Sequence, residues 1–173
     1  MNVYVRDLSR ELARRGHRVD VYTRSQDSSM PRINPGLGRG ARVIHLPAGP
    51  EHPYDKHLVY DHLPEFVDGV LAQAEADGLR YDVLHSHYWL SGAVARDLRQ
   101  HFLDVAPGGP RTSPRASAGR DRSPSVTPSA AERSGSRRVP IVHMFHTLGK
   151  MKNAVAQRPE ERETGRRIAV ETE

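Results

Sequence analysis

The sequence predicts an α/β fold built on a doubly wound, mostly parallel sheet. Three observations predict it. Short period-two strands alternate with amphipathic helices along the chain. A glycine closes the first helix directly onto a strand, as in the αβ half of a βαβ unit. The polar clusters that carry chemistry stand where strands end or helices begin, the edge at which open α/β sheets bind ligands.

The elements follow in order. Asn2 to Arg15 reads as a helix, because Tyr4, Leu8 and Leu12 recur every four residues and Val5 and Ala13 widen the stripe. Asn2 suits its N-cap and Gly16 its C′ position. Arg18 to Thr23 alternates as a strand. Ser25 to Gly40, with Pro31, Pro35 and three glycines, reads as a loop. Arg42 to Leu46 is a second strand ended by Pro47. A helix is expected from about Tyr60 to Ala76, with Leu63, Phe66, Val67, Val70 and Leu71 on one face and Gly78 after it. Tyr81 to His85 is a third strand, Leu90 to Phe102 a helix, Val139 to Phe145 a fourth strand, and Glu160 to Glu173 a charged helix.

Composition narrows the function. The chain has 173 residues and no cysteine, which excludes a disulfide framework, a thiolate zinc site and a cysteine nucleophile. No apolar run approaches the roughly 18 residues of a membrane span, and no signal-peptide pattern opens the chain. A cytoplasmic protein is expected. The net charge of +5 raises the question of a nucleic-acid partner. However, 104–138 alone holds seven Arg against Asp104, Asp121 and Glu132, together with five Pro, seven Ser and four Gly. Val105 and Val126 are its only large aliphatic residues, so it reads as a disordered Ser/Pro/Arg-rich insertion. The expected organisation is one domain made of 1–103 and 139–173, interrupted by that insertion. With no aromatics for base stacking, the insertion reads as a solvated tether, not a nucleic-acid arm.

Three clusters carry the chemistry. Met1 to Val5 opens a helix whose free N–H groups favour an anion, or simply an N-cap. His85-Ser-His-Tyr-Trp-Leu-Ser-Gly92 runs from a strand into a helix. His85 and His87 share a face, but no carboxylate within the motif completes a metal site, so hydrogen-bonding or structural roles are expected and no metal is assigned. Tyr88 and Trp89 are core aromatics or pocket walls, and the Ser-Gly entry favours the pocket. His143 to Lys150 offers His146, Thr147 and Lys150, groups suited to a polyhydroxylated or phosphorylated ligand. A nucleophile elbow, a Walker A loop and a G-x-G-x-x-G turn are all missing from the sequence.

Taken together and in this order, M-N-V-Y-V-R-D-L-S-R-E-L-A-R-R-G-H-R-V-D-V-Y-T-R, V-I-H-L-P-A-G-P, Y-D-V-L-H-S-H-Y-W-L-S-G, and H-M-F-H-T-L-G-K-M-K-N followed by P-E-x-R resemble the N-terminal domain of family-4 retaining glycosyltransferases. That family has sucrose synthase, sucrose-phosphate synthase and inositol-phosphate glycosyltransferase branches. The resemblance implies a Rossmann-like domain, one of two facing a cleft in a GT-B enzyme. It implies sugar transfer with retention from a nucleotide-diphosphate sugar, as co-substrate and without a further cofactor or a metal, to a hydroxyl of a sugar or polyol phosphate. It places His146 next to the transferred sugar as the catalytic residue, and Asn2, Lys56, Tyr88, Thr147 and Arg166 on the substrate. The family's first strand, its Gly-Gly turn and its C-terminal domain have no counterpart in the sequence. A fragment of a larger enzyme, inactive alone, is therefore expected, with a non-catalytic remnant binding a phosphorylated ligand or a partner protein as the alternative.

Overall fold

A computed structural model describes residues 3–103, 139–144 and 149–172. The insertion at 104–138 and the N-cap expected at Asn2 lie outside the described residues. In chain order the elements are α1 (Val3–Arg14), β1 (Val19–Arg24), β2 (Ile33–Asn34), β3 (Ala41–Leu46), α2 (Leu63–Ala76), β4 (Leu84–His87), α3 (Trp89–Leu103), β5 (Ile141–Met144), α4 (Gly149–Val155) and α5 (Gly165–Thr172).

The strands form two hydrogen-bonded groups, and the long pairings are parallel. β1 runs beside β3 from Val19↔Ala41 to Arg24↔Leu46. β4 runs beside β5 from Leu84↔Ile141 to His87↔Met144. The one antiparallel pairing among the described residues joins two-residue β2, inside the segment read as a loop, to the outer edge of β3. Helices cover both faces of β3, as a doubly wound sheet requires. Ile44 and Leu46 pack with Leu63, Val67 and Val70 of α2 and Ala93, Val94 and Leu98 of α3. Ala41 and Val43 face the other way, onto Leu37 and Ala13 of α1. Ile44 and Val70 are almost completely buried, and each large aliphatic so buried contributes roughly 1.5–3 kcal/mol.

Both helix-ending glycines adopt the left-handed conformation: Gly16 at φ 88° and Gly78 at φ 60°. The chain reverses there through His17 N–H to the Leu12 carbonyl (3.1 Å) and Leu79 N–H to the Ala74 carbonyl (2.8 Å). Gly49, just past β3, has φ +66°, and a Cβ there would lie 2.5 Å from the His62 ring. Its N–H donates to Glu65, which also accepts from or pairs with His62 Nδ1 at 2.9 Å.

Three elements begin three or more residues later than the sequence predicts. The helix expected from Tyr60 begins at Leu63, after a 3-10 turn over Val59–His62, because Pro64 in its first turn has no N–H to continue an earlier register. The strand expected over Tyr81 to His85 runs from Leu84 to His87 because Tyr81 turns sideways into a polar network. The last helix begins only at Gly165, where the Thr164 hydroxyl accepts the Arg167 N–H (3.3 Å); a 3-10 turn over Pro159–Glu161 precedes it.

That polar network ties β1, β3, the C-cap of α2 and the segment leading into β4. Tyr22 and Tyr81 share a hydroxyl hydrogen bond of 2.6 Å, and Tyr81 donates to Asp20 at 2.8 Å. Arg42 grips both oxygens of Asp20 (2.7 and 3.1 Å) and also reaches Asp77. Burial first, and then its bonds to Tyr22 and Asp20, push the Tyr81 phenol well above its usual range. The Asp20 side chain is only 2% exposed, so removing its partner strands a buried charge. Arg42→Met is expected to destabilise the chain by roughly 3 kcal/mol in urea unfolding, whereas replacing exposed Arg14, paired to Glu11 on the surface, should change stability by less than about 0.5 kcal/mol.

Candidate functional site

The C-terminal ends of β4 and β5 lie side by side and hold two of the three sequence clusters together. Ser86 on β4 is paired in register with His143 on β5, and its hydroxyl hydrogen-bonds His143 Nδ1 at 2.7 Å. The imidazole lies against Gly92 at the start of α3; a Cβ on that residue would come within 2.9 Å of His143 Cε1. The Ser-Gly pair that opens α3 thus has two structural tasks. Gly92 admits the His143 ring, while the Ser91 hydroxyl accepts the His87 N–H (2.7 Å) and donates back to the His87 carbonyl.

Between β4 and α3 the backbone turns through Tyr88 at φ 74°, and Tyr88 alone among the described non-glycine residues has positive φ. A bulky side chain in that region costs on the order of 1–3 kcal/mol. The turn is held by Tyr88 N–H to the Met144 carbonyl (3.2 Å) and Gly92 N–H to the Tyr88 carbonyl (3.1 Å). It brings the phenol to α5, where Arg167 donates to its oxygen at 3.1 Å and lies over its ring at 4.7 Å. Trp89, next in sequence, is 3% exposed and stacks on Tyr60 at 5.6 Å. It is a core residue, and of the two aromatics Tyr88 is the one that meets charged groups.

Those charged groups form one cluster. Arg167 is 2% exposed, held by Glu163 on one side (2.9 Å) and Glu171 on the other (2.7 Å). The same Oε1 of Glu163 also receives Lys152 of α4 and, at 3.3 Å, Lys56 from the loop before α2. Three cations therefore converge on one carboxylate oxygen, with Glu171 as the second anion. Asn153 fixes the Glu163 backbone in both directions, accepting its N–H at 2.6 Å and donating to its carbonyl at 3.1 Å. Burial opposes ionisation of Glu163, but the hydrogen bonds and charges of Lys152, Arg167 and Lys56 outweigh it and hold the carboxyl at about 2. The Glu163 side chain is 1% exposed, whereas those of Lys56 and Lys152 are 52% and 42% exposed. The acid is inside and the two ammonium groups face outward.

Of the residues expected at the site, Lys56 and Tyr88 fall within this cluster, linked through Glu163 and Arg167. Arg166 stands one position away on α5, paired with Asp61 at 2.8 Å and lying over the Tyr60 ring at 4.8 Å. Asn2, His146 and Thr147 lie outside the described residues. Lys150 is exposed on α4, and Lys152 is the lysine of that motif that reaches Glu163. Sequence reasoning did not single out Lys152, Asn153, Glu163, Arg167 or Glu171. The last-named acid–base–acid series, Glu163, Arg167 and Glu171, carried a signal in its i, i+4, i+8 spacing. Lys152 and Asn153 close the quoted motif H-M-F-H-T-L-G-K-M-K-N, but nothing local pairs them with Glu163, which lies across a turn.

His85 and His87 do lie together, ring centroids 4.3 Å apart. No group of three or more His, Asp or Glu side chains able to hold a metal ion occurs among the described residues. Burial lowers the His85 pKa, which favours its neutral form. Two shallow cavities of about 290 and 190 Å³ flank Arg96 on α3; both are smaller than the usual ligand pocket. The smaller one is lined by Trp89, Gly92, His143 and Glu171 and so borders the charged cluster. No described helix is long and apolar enough to cross a membrane.

Residues 1–122 match the family described as "Glycosyl transferase 4-like domain". The chain is 38% identical over 155 residues to the D-inositol 3-phosphate glycosyltransferase of Xylanimonas cellulosilytica, a match covering 89% of this chain and 28% of that protein. It is 36% identical over 174 residues to the enzyme of the same name from Acidothermus cellulolyticus, covering 100% of this chain and 31% of the relative. Among solved structures it is similar to the sucrose-phosphate synthase of Thermosynechococcus elongatus, with a TM-score of 0.68 and 28% identity over 98% of this chain and 33% of that one. The chain thus spans about three tenths of the length of these relatives.

The depressed pKa of Glu163 gives stability a pH dependence of known sign. Its carboxyl titrates near 4.5 when unfolded and at about 2 in the folded chain. The stabilisation is complete above pH 4.5 and is lost as the pH falls from there towards 2. Urea unfolding measured across that window should show a slope that Glu163→Gln reduces, and an unchanged slope in the variant would show that the carboxylate is not held as described.

Proposed function

The chain belongs to the glycosyl transferase 4-like family, and from that membership we propose that it is the acceptor-side domain of a retaining glycosyltransferase. In this reading the enzyme moves a sugar from a nucleotide-diphosphate sugar to a hydroxyl of a phosphorylated acceptor, of which an inositol phosphate is the first candidate. The observation that carries the reading is the convergence of Lys56, Lys152 and Arg167 beside the Tyr88 hydroxyl. Ammonium donors with a fixed guanidinium and a phenol next to them suit a phosphate. The cluster lies beside the C-terminal ends of β4 and β5, where ligands of open α/β sheets bind. The names of the relatives, which act on inositol 3-phosphate, point the same way.

Each residue then has a role. Lys56, Tyr88 and Thr147 hold the acceptor phosphate, with Lys152 added to the set and Arg166 at its outer rim; Asn2 offers a helix N-terminus. His146 donates to a sugar hydroxyl or to charge developing as the diphosphate leaves. Residues 1–103 and 139–173 form the domain around the 104–138 insertion, and the enzyme works in the cytoplasm. The nucleotide sugar is co-substrate, with no further cofactor. The donor is bound mainly by a second α/β domain, so the 173-residue chain does not turn over substrate by itself.

Calorimetric titration with D-inositol 3-phosphate tests the acceptor site. Lys56→Ala should weaken binding about tenfold, the loss of one charge-assisted hydrogen bond. Arg166→Ala should weaken it less, about threefold, because Asp61 already engages that guanidinium. Unchanged affinity in both variants would remove the phosphate assignment. Sugar transfer by the 173-residue chain alone would overturn the division of labour between domains.

A further inference from the structure

We propose that Glu163 is a built-in counter-charge of this anion site: it positions Lys56 and Lys152 and, at the same time, holds down their affinity for a phosphate. The inference rests on the phosphate reading above and concerns a residue to which that reading gives no part. Three features of the geometry carry it.

First, Oε1 of Glu163 gathers Lys56, Lys152 and Arg167, while Oε2 is buried with no hydrogen-bond partner among the described residues. One oxygen thus does the work that an anionic ligand would do for the two lysines. Second, the carboxylate cannot swing away to admit a ligand. Its backbone is bonded both ways to Asn153, and its side chain is 1% exposed. Third, the lysines are about half exposed, and an ammonium has three donors, so each keeps N–H groups for a ligand on the outer side.

A phosphate bound by Lys56 and Lys152 would therefore sit above a fixed negative charge. Without Glu163, two exposed lysines and a buried arginine would repel one another and lose their common geometry. With it, the lysines are ordered before a ligand arrives, but the ligand meets a like charge directly behind the two ammonium groups, and that repulsion weakens its binding. Stability and phosphate affinity are opposed at this residue. A purely structural Glu163 would instead lose both together.

The test uses the full 173-residue chain with three probes: D-inositol 3-phosphate, inorganic phosphate and unphosphorylated inositol as control. Glu163→Gln keeps an oxygen acceptor for the lysines and removes the charge. It should lower the thermal midpoint yet bind both phosphate probes about tenfold more tightly than the unaltered chain. Glu163→Asp retains the charge but draws it back from Lys56; it should fold even if the glutamine variant does not, and bind about threefold more tightly. Phosphate affinity that is unchanged or weaker in a folded variant, with the unaltered chain binding normally, overturns the counter-charge and leaves the phosphate site standing. No binding of either phosphate probe by any chain overturns both.

Discussion

A guanidinium with 2% of its surface exposed persists in a folded protein only if its charge is answered nearby, and Arg167 meets that condition with Glu163 on one side and Glu171 on the other. Most of the site depends on this arrangement. It sets α5 against Tyr88, and through Asn153 and Lys152 it fastens α4 to the segment leading into α5. It also reaches the loop before α2 through Lys56, 107 positions away in sequence from Glu163. Four stretches of chain with no shared strand or helix are joined through two carboxylates and the groups that face them.

The sheet supplies the other half of the arrangement. Because β4 and β5 run parallel and in register, the ends of two separate motifs come out at the same edge. The chain leaves β4 through a strained tyrosine and enters α3 over a serine and a glycine, each engaged with its neighbours. Strain of this kind persists only where surrounding bonds over-determine it, and here those bonds come from Met144, Ser91 and Gly92. Tyr88 is turned towards the only buried arginine among the described residues.

Much of the fold was legible because it depends on period and punctuation. The alternation of β1 and β3, the stripes of α2 and α3 and the glycines at 16 and 78 are local signals, and the elements form where they stand. The departures arise where a side chain or a proline overrules the local pattern. Tyr81 leaves its strand for Asp20, and Pro64 resets the start of α2. In the site, Tyr88 stands inside a quoted motif, whereas Lys56 lies outside every motif and was named only through the family resemblance; the structure puts both in contact with the Glu163–Arg167 pair. Arg166 and Arg167 are neighbours of one residue type, so no pattern distinguishes the arginine that goes inside from the one that stays on the rim. Likewise nothing in Lys150-Met-Lys152 says which ammonium reaches Glu163.

The α/β class, the family and the order of the elements other than β2 and α4 could be read from the sequence, because these rest on hydrophobic period, helix-ending glycines and runs of motif residues in register. It is packing that buries Arg167 and not Arg166, joins Lys152 to Lys56, and gathers all three cations on a single carboxylate oxygen. Distance along the chain explains the difference. An ion pair between residues 56 and 163 has no local periodicity, and its partners are chosen by which faces meet once the sheet has brought them together.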